Sequence, residues 1–115
     1  MVRALVCACA LSFCVAAMAA EGDPRARGEK LFAEQKCGGC HAIAGKGNPD
    51  GPLDNVGARL SAADIRAWLL ETKRMARSTN ATFRRHRENN MKEYTNLPKE
   101  DIDALVAYLS SLKRK

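Results

Sequence analysis

Two cysteines three residues apart, followed directly by a histidine, constrain this chain more than any other feature. The motif is Cys37-Gly38-Gly39-Cys40-His41. At this spacing two thiols can reach the two vinyl groups on one edge of a porphyrin, and the adjacent imidazole can point at the iron. The motif therefore predicts one covalently attached c-type haem, held through Cys37 and Cys40, with His41 as an iron ligand.

The first twenty residues have the pattern of a cleaved secretory signal. Arg3 supplies a positive charge, Leu5 to Val15 is almost entirely apolar, and Ala17-Met18-Ala19 is a small-x-small cleavage pattern. Because the apolar run is shorter than the ~20 residues that span a bilayer, we expect cleavage and no stable membrane insertion afterwards. The sequence thus predicts a signal peptide over 1–20 and one domain over 21–115, exported to the periplasm.

Cleavage of the signal changes how the cysteines are interpreted. Three of the five cysteines lie in the predicted signal, so the mature chain keeps only the pair of the motif and has no disulfide framework. A domain of about 95 residues is marginal on side-chain burial alone. Its large aromatic side chains are few: Phe32, Trp68, Phe83, Tyr94 and Tyr108. A large buried prosthetic group would supply the missing core.

Other interpretations of the Cys37–Cys40 pair explain less of the sequence. A thioredoxin-like redox pair needs neighbouring strands, which the sequence does not indicate. A zinc site needs four ligands, and only His86, Met91 or a carboxylate could complete one, without finger-like spacing. A structural disulfide would leave His41 unexplained. We therefore favour haem attachment.

The helix signals predict an all-α domain with no strand. Capping residues and apolar periodicity predict three helices: a first from Pro24 to Gln35 after an Asp23 cap, a second from Ala62 to Lys73 after a Ser61–Asp64 capping arrangement, and a third from near Pro98. The apolar stripe of the third helix consists of Ile102, Leu105, Val106, Leu109 and Leu112. Gly28 inside the first helix indicates a close crossing with another helix, since glycine is otherwise unfavourable there. The glycine- and proline-rich segment 44–57 and the aperiodic segment 76–96 are predicted to be mostly loop.

The sixth coordination position of the iron has three candidate ligands in the mature chain. Met91 is preferred because it lies in a predicted loop, seven residues before the last helix begins. Met75 is expected to pack at a helix end, and His86 to face solvent between two arginines. An open sixth position is the remaining alternative. Thioether ligation raises the reduction potential, and a filled position favours electron transfer over substrate binding.

Basic residues concentrate between 73 and 92. The net charge of the chain is +6, and this stretch has one acidic residue, Glu88, beside seven basic ones: Lys73, Arg74, Arg77, Arg84, Arg85, Arg87 and Lys92. Most charge runs are solvated loops, but such a run also speeds encounters with acidic partners. Nucleic acid is not an expected partner, because no aromatic stripe accompanies the charge. The expected partners are redox proteins with acidic docking surfaces.

Together these residues resemble the class I cytochromes c, in particular small soluble bacterial monohaem members. The resemblance covers nearly all of the mature chain and rests on these segments: Gly28, Leu31 and Phe32 before the motif, Gly51-Pro52-Leu53 and Val56-Gly57-Ala58-Arg59 after it, and Met91 with the closing segment 101–109. It implies a cytochrome c fold, in which N- and C-terminal helices cross, with a middle helix and long loops around one haem. It also implies that Tyr108 crosses the first helix near Gly28.

The resemblance also implies roles for individual residues. The carbonyl of Pro52 would accept the Nδ1 hydrogen of His41, Arg59 would lie near a haem propionate, and Met91 would be the sixth ligand. Many members of the family have proline after the methionine, whereas this chain has Lys92. The implied function is one-electron transfer between exported redox partners, without enzymatic activity of its own. The alternatives are a cytochrome subunit of a larger periplasmic oxidoreductase and a haem-based ligand sensor.

Overall fold

The computed structural model describes residues 22–78 and 91–114. The predicted signal peptide, His86 and the arginines at 84, 85 and 87 lie outside the described residues. The described elements are α1 (Pro24–Glu34), a 3₁₀ turn (Cys37–Gly39), β1 (Ala42–Ile43), β2 (Lys46–Gly47), α2 (Val56–Arg59), α3 (Ala62–Leu70), α4 (Thr72–Ser78) and α5 (Lys99–Ser111). The structure is mostly helical, which confirms the predicted all-α class. Among these elements, no helix combines the length and apolar composition needed to cross a membrane.

The first helix begins where its capping residues place it. The side chain of Asp23 accepts the backbone N–H of Arg25 at 3.0 Å, and Pro24 occupies the first turn. Asp23 thereby satisfies one of the backbone donors left free at a helix start, while proline has no N–H to leave unsatisfied. The helix ends at Glu34, one residue before the predicted end.

Helices α1 and α5 cross in close contact at Gly28. A Cβ atom added there would lie 2.1 Å from the carbonyl oxygen of Ala104 and 2.6 Å from Cβ of Tyr108. One turn further on, the rings of Phe32 and Tyr108 meet edge to face, with 6.0 Å between their centroids. The predicted crossing of Tyr108 near Gly28 is confirmed, and only glycine lets the two backbones approach this closely.

The hydrophobic core lies between α1, α3 and α5. Its most deeply buried side chain is Leu105, which is 1% exposed. The rest of the buried core consists of Leu31, Val56, Ile65, Leu69, Tyr94, Ile102, Ala104, Val106 and Leu109. The predicted apolar stripe of the last helix accounts for four of these positions, and Leu112 is partly buried at its end.

The predicted second helix is interrupted. It starts as expected, since Ser61 and Asp64 form a reciprocal capping box, but Glu71 leaves helical geometry with φ −134° and ψ 41°. The hydroxyl of Thr72 donates to the carbonyl of Trp68 at 2.6 Å, which satisfies an acceptor at the end of α3. A separate α4 follows and extends to Ser78, so the single helix over 62–73 was wrong.

Two short elements interrupt the predicted loop over 44–57. Strands β1 and β2 pair antiparallel, although no strand was predicted, and α2 begins at Val56. The hairpin turn has Ala44 at φ 51° and Gly45 at φ 76°, the left-handed conformation that suits a two-residue hairpin. Strands of two residues are too short to show an alternating pattern, so the sequence could not reveal them.

Candidate haem site

The cysteine–histidine motif forms one compact turn immediately after α1. Lys36, with φ 57°, reverses the chain direction. The carbonyl of Cys37 then accepts the backbone N–H groups of Cys40 at 3.1 Å and His41 at 2.9 Å. Both thiols are free, with Cys37 partly buried and Cys40 exposed. The turn thus presents two thiols and an imidazole together, without a disulfide between them.

The imidazole of His41 is held by a backbone carbonyl. Its Nδ1 atom lies 3.1 Å from the carbonyl oxygen of Gly51, which also accepts the N–H of Ala42 at 3.1 Å. A protonated Nδ1 that donates here leaves Nε2 with its lone pair available as a metal ligand. The predicted acceptor was the carbonyl of Pro52, and the structure corrects this to Gly51. Pro52 instead forms a parallel bridge with Ala42.

Two glycines let the loop fold tightly against the motif. A Cβ on Gly51 would lie 2.2 Å from the carbonyl oxygen of Cys40, and one on Gly47 would lie 2.1 Å from that of His41. Gly47 also has φ 106°, which side chains rarely adopt. The sequence analysis used these glycines as a loop signal and, for Gly51, as part of the family resemblance, and it missed that they allow the loop to pack against the histidine turn.

Met91 lies at the edge of the hydrophobic core. Its side chain is partly buried and packs against the buried cluster, while the following Lys92 is exposed. Met75 is on α4 and also partly buried. Of the two methionines, Met91 is the one that packs against the core.

Tyr94 was counted in the sequence only as an aromatic residue, yet it connects the methionine segment to the motif. It is 6% exposed, and its hydroxyl lies 4.0 Å from Sγ of Cys37. Burial, with the neighbouring Cys37 as a second cause, raises the pKa of Tyr94 to about 12. Burial also raises the pKa of the Cys37 thiol. The position of Tyr94 three residues after Met91 was the one sequence signal for its role at the site.

Arg59 lies at the C-terminal end of the short helix α2. It is exposed, and it forms no ion pair within the described residues. The helix is fixed against the end of α5, because the N–H of Gly57 donates to the carbonyl of Leu112 at 3.0 Å and a Cβ on Gly57 would lie 2.1 Å from the carbonyl oxygen of Ser110. The guanidinium is therefore available to an anionic group.

The side chains of the site fit a covalently bound haem. Two free thiols and a histidine with one nitrogen already engaged are the donors that c-type haem uses. A Cβ on Gly38 or Gly39 would meet nothing within 4 Å, so there is open space beside the motif. Within 22–78 and 91–114, no three His, Cys, Asp or Glu residues group together as a separate metal site.

Two comparisons with known proteins give matches to this chain. Residues 25–113 match the family model described as cytochrome c. The chain is 32% identical over 96 residues to cytochrome c oxidase subunit 2 of Alkalihalophilus pseudofirmus, an alignment covering 76% of this chain and 25% of that protein. The chain thus spans about a quarter of the length of this relative. No solved structure gives a significant match.

The chain belongs to the cytochrome c family. Its helical architecture is the cytochrome c fold, which confirms the resemblance seen in the sequence. Membership implies haem c with its iron as the cofactor, and it makes the chain a haem-based electron-transfer protein.

Proposed function

We propose that this protein is a one-electron carrier with a single haem c on Cys37 and Cys40 and with His41 and Met91 as axial ligands. The observation that carries the proposal is the turn after α1, in which two cysteines directly precede a histidine whose Nδ1 lies 3.1 Å from a carbonyl oxygen. When bound, the haem supplies an iron that alternates between ferric and ferrous states. The protein itself is not an enzyme in this proposal.

The protein's contribution on the His41 side is orientation. A donated hydrogen bond from Nδ1 to the Gly51 carbonyl fixes the tautomer and the direction of the ring. The same hydrogen bond makes the imidazole a more electron-rich ligand. A stiff, electron-rich ligand keeps the geometry similar in both oxidation states, which suits rapid electron transfer.

Met91 is the proposed ligand on the opposite side. Its support is its place beside the core and its closeness along the chain to buried Tyr94. A thioether ligand favours ferrous iron and raises the reduction potential. With both axial positions filled, no position would remain for a substrate or a gas, whereas the sensor alternative needs an open one. We further propose that Arg59 pairs with a haem propionate.

Export and docking complete the proposal. A cleaved signal over 1–20 would deliver the protein to the periplasm, in keeping with its similarity to an oxidase subunit.

The described part of the basic run places Lys73, Arg74 and Arg77 on α4, where all three are exposed. Arg74 already pairs with Glu71. We expect these residues to guide acidic redox partners, and raising ionic strength should then slow electron transfer to such a partner.

A second candidate is a cytochrome subunit fixed within a larger oxidoreductase. The similarity to a cytochrome c oxidase subunit favours it. The two candidates differ in what accompanies the protein under native conditions. A free shuttle should elute at the size of one small domain, whereas a subunit should co-purify with larger redox proteins from its own membrane extract.

Mass measurement of the denatured exported protein tests the proposal. We expect the mass of the cleaved chain plus one haem, and a redox titration with one reversible one-electron transition. The mass of the bare polypeptide would refute covalent attachment. Two or more electrons per chain would refute the single-haem assignment.

A further inference from the structure

The methionine segment, residues 91–98, has no helix or strand of its own before α5 begins. Within the part of the chain that the structure describes, three hydrogen bonds donated by backbone N–H groups involve its residues 91–97. The backbone N–H of Tyr94 donates to the carbonyl of Leu69 at 2.9 Å, and the carbonyl of Tyr94 accepts the N–H of Leu97 at 3.2 Å. The carboxylate of Glu93 accepts the N–H of Lys73 at 3.2 Å. Two of the three bonds involve the backbone of Tyr94.

The side chain of Tyr94 extends the same attachment towards the haem motif. The ring is buried in the core and its hydroxyl reaches Sγ of Cys37, 57 residues earlier in the chain. The ammonium group of Lys92 lies 5.0 Å from the ring centroid, within range of a cation–π contact. Tyr94 therefore connects α3, the methionine segment and the cysteine turn.

Resting on the proposed His41–Met91 ligation, we propose that Tyr94 is a positioning residue that keeps the Met91 thioether on the iron. Three residues of chain reach at most about 10 Å, so anchoring Tyr94 confines Met91 to a small region beside the cysteine turn. Once Cys37 is a thioether it has no S–H, and the Tyr94 hydroxyl becomes the donor to that sulfur. This hydrogen bond is weak, so the buried ring is the main part of the anchor.

The two parts of the side chain can be tested separately. Tyr94→Leu removes the ring, and we expect carbon monoxide to bind the reduced protein about tenfold faster or more, because the closed ligated state loses packing energy. The reduction potential should fall as thioether ligation is lost. Tyr94→Phe keeps the ring, and its carbon monoxide binding should stay within about twofold of wild type, since only a weak hydrogen bond is lost.

Tyr108→Leu is the matched control. It also removes an aromatic ring, but from the α1–α5 crossing, where Phe32 packs against it. Tyr108→Leu should unfold at a lower denaturant concentration than wild type, but its reduced form should bind carbon monoxide no faster than wild type does. A purely structural role for Tyr94 would make the two leucine variants behave alike.

The outcomes separate this proposal from the proposed function. Slow carbon monoxide binding in both wild type and Tyr94→Leu, with fast binding in Met91→Ala, would overturn the role of Tyr94 and leave the ligation intact. Carbon monoxide binding to wild type as fast as to Met91→Ala would instead overturn the ligation.

Hydrogen exchange in the wild-type protein tests the anchor without any variant. The Tyr94 amide should exchange as slowly as amides within α3, and exchange as fast as that of exposed Thr95 would contradict the anchor.

Discussion

The two sides of the haem site are held in different ways. The attachment side, residues 37–53, is fixed by backbone hydrogen bonds within seventeen consecutive residues, and Gly51 both accepts from His41 and lies against the Cys40 carbonyl. The methionine side, residues 91–98, is fixed by contacts with α3, α4 and the cysteine turn, all distant in sequence.

This difference indicates where the protein is stiff and where it can be adjusted. Local backbone bonds, together with the two covalent links that we propose, should make the attachment side insensitive to changes elsewhere. The methionine side depends on tertiary packing, so it is expected to open first when the fold is perturbed. Variants of the attachment side should therefore lose the cofactor, whereas variants of the methionine side should lose only an iron ligand.

Removing both thiols should have the largest effect. In Cys37→Ala/Cys40→Ala the haem has no covalent link, so denaturation should release essentially all of it, and either single substitution should weaken attachment. Haem staining after denaturing electrophoresis measures this. Met91→Ala is the control, since its haem should stay attached. Full retention of haem by the double variant would defeat the assignment.

Gly51→Ala should damage the attachment side by crowding the Cys40 carbonyl and the His41 ring. The added Cβ would lie 2.2 Å from the Cys40 carbonyl oxygen, and such overpacking costs about 1–3 kcal/mol. Urea unfolding measures the loss. Gly39→Ala, where a Cβ meets nothing within 4 Å, is the matched control. Equal stability of the two variants would mean that the tight fold around His41 is absent in solution.

Met91→Ala should leave the attachment side intact while opening the iron. We expect covalent haem at wild-type levels, a lower reduction potential and carbon monoxide binding by the reduced protein, because a thioether no longer fills the sixth position. A potentiometric titration beside a carbon monoxide difference spectrum checks this. An unchanged potential would transfer the ligand role to Met75 or His86.

Asp103→Asn should have the smallest effect, since it lies away from both sides. Lys99 first and then Arg66 lower the pKa of the Asp103 carboxyl below its usual range. Because the folded pKa is the lower one, the stabilisation is present above the unfolded pKa of about 3.9 and is lost as pH falls through the folded value. The variant should be slightly less stable than wild type at neutral pH and equal to it in strong acid. A stability difference that persists in acid would contradict this.

The sequence predicted features that depend on neighbouring residues. The cysteine–histidine motif, the Asp23 cap, the Ser61 capping box and the close approach at Gly28 all have local signals. These signals predicted an all-α domain, and the family resemblance implied the cytochrome c fold. The break at Glu71 was missed because no glycine or proline marks it in the sequence.

Other features depended on tertiary contacts. The acceptor for His41 is Gly51 rather than Pro52, because the Gly51 carbonyl is turned towards the motif, where it also accepts the N–H of Ala42. Tyr94 had no local signal for its contact with Cys37, which forms only when the fold brings the methionine segment to the cysteine turn. The residues hardest to predict were those whose partners lie far along the chain.

An absorption spectrum of wild type and Met91→Ala, oxidised and reduced, tests the central claim most directly. With His41 and Met91 as ligands, the oxidised wild type should show a sulfur-to-iron charge-transfer band that Met91→Ala lacks. The reduced wild type should be low-spin and unaffected by carbon monoxide. A wild-type spectrum without that band, or one identical to that of Met91→Ala, would contradict the account.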